Sequence, residues 1–587
     1  MTAVIEVPAS ARAGDSPGSH PRDESFVLES RGWSSDAESC APKIAALASL
    51  LNLAEPAAVP AVAYVSRGNL LVIAGDARER ARAAAADLAA SLHVTILERD
   101  AASAPAGCVA WSGQLESVTG HLGEFTATIV ALRTPDALSP AKAPTPARFD
   151  LVLDFAAQPA FAMRMPPQGY FRANDNAAAA RAVAELRDSV GEFEKPKYFT
   201  YRENLCAHSR SEIAGCNACI EICSTQAIRS DGDHVAVDPH LCMGCGACAT
   251  VCPSGAMGYQ FPRPEDRGTQ MRQLLGAYRQ AAGSDACLVF HNTADARDLL
   301  ARAAASGQGL PPNALPLAAW HVAAIGLDLL LPAIAYGASR VVILSTGSED
   351  AEYVAALRGQ MAIGEAVLQG LGYDGRHFDM IEADSPEALA RALVDVAPSR
   401  GVGVPATFAL SNDKRTAIEF AVEHLAKHAP RSAEVIALPA GAPFGQVMVD
   451  PGSCTMCMSC VGACPASALM DGVDQPLLKF VERNCVQCGL CEATCPEDAI
   501  TLEPRLLLGP AAREARVLNE TQPYHCVSCK KPFGTKLMVE TMMTRLAGHS
   551  MFGGEAMRRL QMCADCRVVD MMQSKDEVSV LKLGAGS

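Results

Sequence analysis

Sixteen of the chain's 23 cysteines fall into four runs of four, and the runs fall into two pairs. Three runs share one spacing, C-x2-C-x2-C-x3-C followed by proline. They are Cys242, Cys245, Cys248 and Cys252 before Pro253; Cys454, Cys457, Cys460 and Cys464 before Pro465; and Cys485, Cys488, Cys491 and Cys495 before Pro496. The fourth run is irregular: nine residues separate Cys206 from Cys216, and Cys219 and Cys223 follow. A segment looping through three close thiolates can reach three irons of one [4Fe–4S] cube, while its fourth thiolate faces away and meets a neighbouring cube. Pairs of runs therefore imply pairs of clusters, four in all, and the chain has to fold so that each pair of runs meets.

The crossing rule assigns the ligands. Cys242, Cys245, Cys248 and Cys223 form one set, and Cys206, Cys216, Cys219 and Cys252 form its neighbour. In the second pair, Cys454, Cys457, Cys460 and Cys495 form one set, and Cys485, Cys488, Cys491 and Cys464 the other. Gly244, Gly246 and Gly489 remove side chains where backbone approaches sulfide. The insertion Ala207–Gly215 makes Cys206 the exceptional ligand; without it that cluster becomes a three-iron or labile form. His208, close by, is either a replacement or tuning group or a plain hydrogen-bonding histidine. The fourth residue after each run's last cysteine is Ala and the fifth is apolar: Ala227–Ile228, Ala256–Met257, Ala468–Leu469 and Ala499–Ile500. The repeat, with proline at three of the four sites and Ser224 at the other, predicts a short helix starting just after each last cysteine.

Two further knuckles, Cys526–Cys529 and Cys563–Cys566, lie 33 residues apart and can close a tetrahedral four-thiolate site. Structural zinc is the expected occupant; a fifth iron–sulfur cluster or a redox thiol set are the alternatives. Cys40, Cys108 and Cys287 stand alone and read as small buried hydrophobes.

The net charge of −15 argues against nucleic acid, which needs clustered Lys and Arg. Short, repetitive cysteine spacing suits metal ligation in a reducing compartment better than disulfides, and the first residues contain neither an apolar signal core nor twin arginine, so a cytoplasmic protein is expected. The apolar stretch from Ala314 to Ala338 is broken by Pro316, His321, Asp328 and Pro332. It predicts a buried strand then a buried helix, with no membrane span.

Along the chain, residues 1–55 read as a disordered or irregular tail and 56–194 as a small α/β domain. Residues 195–262 form the first cluster module, 284–440 a second α/β domain, 446–505 the second module and 520–587 a zinc-ribbon-like four-cysteine domain. Strands are expected at Ala286–Phe290, Leu315–Ala319, Val341–Ser345 and His377–Ile381, with helices between them. That alternation predicts a parallel sheet covered on both faces. The fold class is α/β multidomain, with two ferredoxin-like modules inserted among parallel-sheet domains. Because an α/β domain separates the modules in sequence, four clusters need not form one continuous wire. No flavin, nicotinamide or molybdopterin fingerprint is present.

The two modules resemble bacterial two-[4Fe–4S] ferredoxin domains. The order Leu327–Gly337, Val341–Ser345 and then a long helix to Gly372 resembles the delta-subunit domain of methyl-viologen-reducing hydrogenases. That family's [2Fe–2S] cysteines have no counterpart after Cys287, which argues against a cluster there. The whole chain is similar to large ferredoxin-type proteins encoded beside proteobacterial formate dehydrogenases. That similarity rests on Gly191-Glu-Phe-Glu-Lys-Pro-Lys, Cys206-Ala-His-Ser-Arg, His525-Cys-Val-Ser-Cys-Lys-Lys-Pro-Phe-Gly and Met562-Cys-Ala-Asp-Cys-Arg. It implies an electron carrier without its own catalysis, serving a formate dehydrogenase or a related molybdenum or tungsten enzyme. A maturation factor for that enzyme is the alternative, and a reductase with its own substrate site the third reading.

Overall fold

The computed structural model describes residues 3–4, 40–100, 103–137, 139–163, 165–307, 309–394, 399–472 and 475–573. Two compact units result. The first comprises Met1–Arg202, Asn217–Asp231 and Val235–Ser432; the second comprises Glu203–Cys216, Gly232–His234 and Ala433–Ser587.

The first unit holds two sheets of four or more strands, beside smaller ones. One has seven strands in the order Thr145–Phe149, Phe125–Arg133, Val109–Thr119, His93–Glu98, Asn69–Ile73, Leu151–Asp154, Tyr170–Arg172. It departs from an all-parallel sheet. Phe125–Arg133 runs antiparallel to both neighbours, because the turn from Gly120 to Glu124 is too short for a crossover. Its two faces build separate cores, one around Leu70, Val72 and Ile96 and one around Phe125, Ile129 and Val152. Helix Asn176–Arg187 closes the first face; the Asp175 carboxylate caps it by accepting from the Ala178 N–H at 2.7 Å.

The other sheet is wholly parallel, in the order Ala314–Ala319, Cys287–Asn292, Arg340–Ser345, Phe378–Glu382. The first three strands are buried along their whole length, as a sheet covered on both faces requires. The apolar stretch beginning at Ala314 folds as that strand, a short 3-10 turn and the buried helix Leu327–Ala335. Among the described residues no helix is long and apolar enough to cross a membrane.

Most of the expected N-terminal tail lies outside the described residues, but its last part is ordered. Ala41–Ser49 is a helix packed on helix Pro264–Gln280, with Lys43 Nζ donating to the Leu310 carbonyl at 3.0 Å. Ala46, Leu47 and Leu50 supply a buried stripe that a disordered tail lacks.

The second unit is antiparallel. Val435–Ala437 and Gly445–Val449 flank Ile500–Leu507, and Leu477–Phe480 pairs with Leu469–Asp471 and Arg516–Glu520. Phe480 is fully buried at the centre of its core. The buried Glu482 carboxylate accepts from Arg505 and Arg516, each at 2.7 Å, and so is not left unpaired. Hairpin Pro523–His525/Pro532–Thr535 leads into helix Lys536–Leu546, and Ala564–Gln573 is the last described helix.

Candidate metal centres

The short helices of the cysteine runs lie before the last cysteine, not after it: Ala218–Glu221, Ala247–Val251, Ser459–Ala463 and Leu490–Ala493. This corrects the expectation that proline starts them. A residue preceding proline is pushed out of the helical region. Cys252 and Cys464 accordingly take extended ψ values of 113° and 107°, and their helices end there. A strand then begins on the fifth residue after each last cysteine, at Ile228, Met257, Leu469 and Ile500. Backbone N–H groups in this turn point at the cysteine sulfur: Met257 to Cys252 at 3.4 Å, Ala468 to Cys464 at 3.3 Å and Ala499 to Cys495 at 3.4 Å.

A backbone pattern repeats that sequence reasoning caught only in part. In each regular run the residues just before and just after the second cysteine have positive φ: Gly244 and Gly246, Met456 and Met458, Gln487 and Gly489. So does the third residue after the last cysteine in all four runs: Gln226, Gly255, Ser467 and Asp498. Left-handed residues in such loops turn successive N–H groups inward, towards negative charge. Glycine marked three of the six run positions; methionine and glutamine at the others gave no signal.

In the first unit the Cys223, Cys242, Cys245 and Cys248 thiols come close enough to act on one another electrostatically. Burial pushes the Cys242, Cys245 and Cys248 thiols up, Cys245 to about 12, and Cys223 adds to the rise in each. Both α/β domains wall this group. Lys195 Nζ donates to the carbonyls of His240 and Cys242, each at 2.7 Å, and burial lowers this ammonium to about 8. Ile222, Ala247, Ala323 and Tyr353 form one small core with Cys245 and Cys248 against it. Lys414 Nζ donates to Ala249, Thr250 and Cys252 carbonyls at 2.8, 2.6 and 3.0 Å, satisfying the end of helix Ala247–Val251. Trp320 and His321 are packing groups here. Trp320 stacks on Tyr198 at 5.9 Å, and His321 accepts from the Ala323 N–H at 3.1 Å.

In the second unit Cys454, Cys457, Cys460 and Cys495 line one small cavity with Met456, Met458, Leu478 and Ile500. Burial raises Cys460 to about 12, and Cys457, Cys454 and Cys495 raise it further. Burial likewise raises Cys491, with added pushes from Cys485, Cys488 and Cys464. The remaining four thiols divide: Cys206 and Cys216 belong to the second unit, Cys219 and Cys252 to the first. His208 is buried, with its Nδ1 3.3 Å from the Cys216 carbonyl oxygen.

No disulfide joins any of the 23 cysteines. Thiols gathered in sets, with burial opposing ionisation of Cys242, Cys245, Cys248, Cys460, Cys488 and Cys491, fit iron ligation, in which metal replaces the protons. Residues 214–256 match a family model described as a 4Fe-4S dicluster domain, and residues 453–500 match another of the same description. Both segments are ferredoxin-type 4Fe-4S domains.

Among individual proteins, the chain is 37% identical over 49 residues to "Ferredoxin 7Fe" of Hydrogenibacillus schlegelii, covering 8% of this chain and 63% of that one. It is 42% identical over 48 residues to a ferredoxin of Alicyclobacillus acidocaldarius, covering 8% and 62%. It is 36% identical over 52 residues to "Hydrogenase-4 component A" of Escherichia coli, covering 9% and 25%. The chain thus spans less than two thirds of the length of each of these relatives.

Near the C-terminus the Cys526, Cys529, Cys563 and Cys566 sulfurs all lie within 4.8 Å of one another, and Cys529 and Cys563 are 3.7 Å apart. Burial pushes the Cys526 thiol up, but N–H groups of Cys529, Cys563 and Ser528 outweigh it and hold the thiol down at about 6. Cys566, hydrogen-bonded to Cys529 and Cys563, is pushed up to about 12. Of the lone cysteines, Cys40 and Cys287 are buried and Cys108 is half-buried. His121, Asp238 and His240 also cluster, but the two imidazoles stack at 4.3 Å and 12°, so their in-plane lone pairs do not converge on one ion.

Proposed function

We propose that the protein relays single electrons through four [4Fe–4S] clusters, two in each dicluster domain, to or from a partner oxidoreductase. The ligand sets are Cys242, Cys245, Cys248 and Cys223; Cys206, Cys216, Cys219 and Cys252; Cys454, Cys457, Cys460 and Cys495; and Cys485, Cys488, Cys491 and Cys464. The observation that carries the reading is the gathering of three cysteines of one run with the last cysteine of the next around one cavity, Cys454, Cys457, Cys460 and Cys495. Clusters supply reversible one-electron storage. The chain's own part is to bury the thiols, aim N–H groups at sulfur and exclude water, while substrate chemistry belongs to the partner.

The knuckle near the C-terminus suits one structural zinc. A tetrahedral ion with Zn–S bonds of about 2.3 Å spaces its sulfurs by about 3.8 Å, close to the 3.7 Å between Cys529 and Cys563. A cube binds each thiolate on a different iron and spreads them further.

A formate dehydrogenase, or a related molybdenum or tungsten enzyme, is the proposed partner, on the whole-chain similarity of the Gly191, Cys206, His525 and Met562 segments. The test adds formate and catalytic dehydrogenase to the oxidised protein under anaerobic conditions. The visible cluster absorbance is expected to bleach rapidly and return on reoxidation. Bleaching by dithionite but not by dehydrogenase and formate would remove this partner.

Maturation of that enzyme is the second reading. It is favoured by the exposed Val568, Val569, Met571 and Met572 on helix Ala564–Gln573, which suit a client surface. A dehydrogenase that stays inactive when made without this protein, yet needs no help once mature, would support it.

A further inference from the structure

The insertion in the irregular run is a built element. Between Cys206 and Cys216 the chain makes a hairpin, with Ser209 opposite Ala214 and Arg210 opposite Ile213. Its two-residue turn, Ser211 and Glu212, has φ of 51° and 69°, the geometry that suits strand twist. The base is closed by the Gly215 N–H to the His208 carbonyl and the Cys216 N–H to the Ala207 carbonyl, each at 2.8 Å. The Ser209 hydroxyl ties the hairpin to the Asp233 carboxylate at 3.2 Å.

The hairpin is packed onto the second dicluster domain. Ala207, Ala463, Val486 and Leu490 form one buried cluster, and Cys216 and Cys488 both pack against it. The fit leaves no room at Gly215, where a Cβ would lie 2.5 Å from the Ala207 carbonyl oxygen and 2.8 Å from Leu490 Cγ. All of these residues belong to the second unit.

We propose that this hairpin is an electron-transfer junction. It sets the cluster held through Cys206 and Cys216 beside the cluster held through Cys485, Cys488 and Cys491. The proposal rests on the cluster reading above. In the step, one electron leaves a reduced cluster on the Cys216 side, which is oxidised, and enters an oxidised cluster on the Cys488 side, which is reduced. The reverse transfer is equally balanced. No bond is made or broken, and the external donor is the redox partner, replaced by dithionite or a photoreductant in the test. Both thiols pack against the same buried apolar side chains, which keep water and its reorganisation away from them.

The test uses the full chain, purified anaerobically. Cys245→Ala with Cys457→Ala removes one ligand from each cluster outside the junction. The dithionite-reduced double variant is expected to show spin–spin splitting in its electron paramagnetic resonance spectrum, and adding Gly215→Val is expected to abolish the splitting without loss of the remaining iron. Two non-interacting spectra in the double variant with its iron retained would overturn the junction. Should the variants not fold, the wild type decides. After substoichiometric photoreduction, electrons are expected to redistribute between the cluster on the Cys216 side and the cluster on the Cys488 side at a rate independent of protein concentration. A rate proportional to concentration would overturn the proposal. Wild type lacking iron and sulfide would instead defeat the cluster reading itself.

Discussion

Equivalent left-handed positions in the cysteine loops are held in different ways. Gly246 has φ 78° and Gly489 φ 82°, while Met458 takes φ 62° at the matching place. A side chain with a Cβ is therefore tolerated there when space allows, at about 1–2 kcal/mol. A Cβ added at Gly489 would have no protein atom within 4 Å, and Met458 shows that a side chain fits at the matching place, whereas one added at Gly246 would meet Ala324 Cβ at 2.6 Å. Gly489→Ala is thus expected to cost about 1–2 kcal/mol, and Gly246→Ala about 1–3 kcal/mol more through overpacking. Anaerobic urea unfolding of the two variants measures the difference; equal midpoints would show that the wall formed by Ala324 yields freely.

At the scale of elements, each run works only with its pair. If Cys495 completes the set of Cys454, Cys457 and Cys460, then Cys454→Ala combined with Cys495→Ala should lose no more iron than either change alone. Cys464→Ala combined with Cys495→Ala should lose about twice as much, because two clusters are then hit. Iron analysis of the four variants separates these outcomes, and equal losses in both doubles would contradict the crossing. The four-cysteine knuckle near the C-terminus gives a second prediction. Cys526 has its thiol held down at about 6, so at pH 7 it is already a thiolate. Any stability this thiolate lends the metal-free knuckle is complete above the ordinary thiol range and is lost as pH falls through about 6. Zinc binding at pH 7 should accordingly release fewer than four protons, measured by calorimetry in buffers of different ionisation enthalpy. Release of all four would contradict the preformed thiolate.

Much at this scale could be read from sequence because spacing is itself geometry. Cys242 to Cys252 fixes a loop and a helix end, and the unbroken apolar runs at Leu315 and Val341 fix buried parallel strands. The proline positions misled, since Pro253 and Pro465 stop a helix by forcing the preceding cysteine extended. Helix Pro264–Gln280 is legible from Pro264, Glu265 and Asp266 in its first turn, yet it falls between the expected domains. Strand Gly191–Pro196 lacks apolar alternation and forms by pairing with Ala61–Ser66, a partner more than a hundred residues away. The left-handed roles of Met456, Met458 and Gln487 have no residue-type signature.

For the molecule as a whole, the first dicluster domain is walled by side chains from two α/β domains, with Lys195 on one side and Tyr353 and Lys414 on the other. The net charge of −15 suits a partner with a basic docking face. The number and kind of metal centres are open to a direct count. Iron, acid-labile sulfide and zinc should be counted on one anaerobically purified sample of the full chain. About 16 irons, about 16 sulfides and about one zinc per chain are predicted. About 20 irons with no zinc, or iron and sulfide both well short of 16, would contradict these numbers.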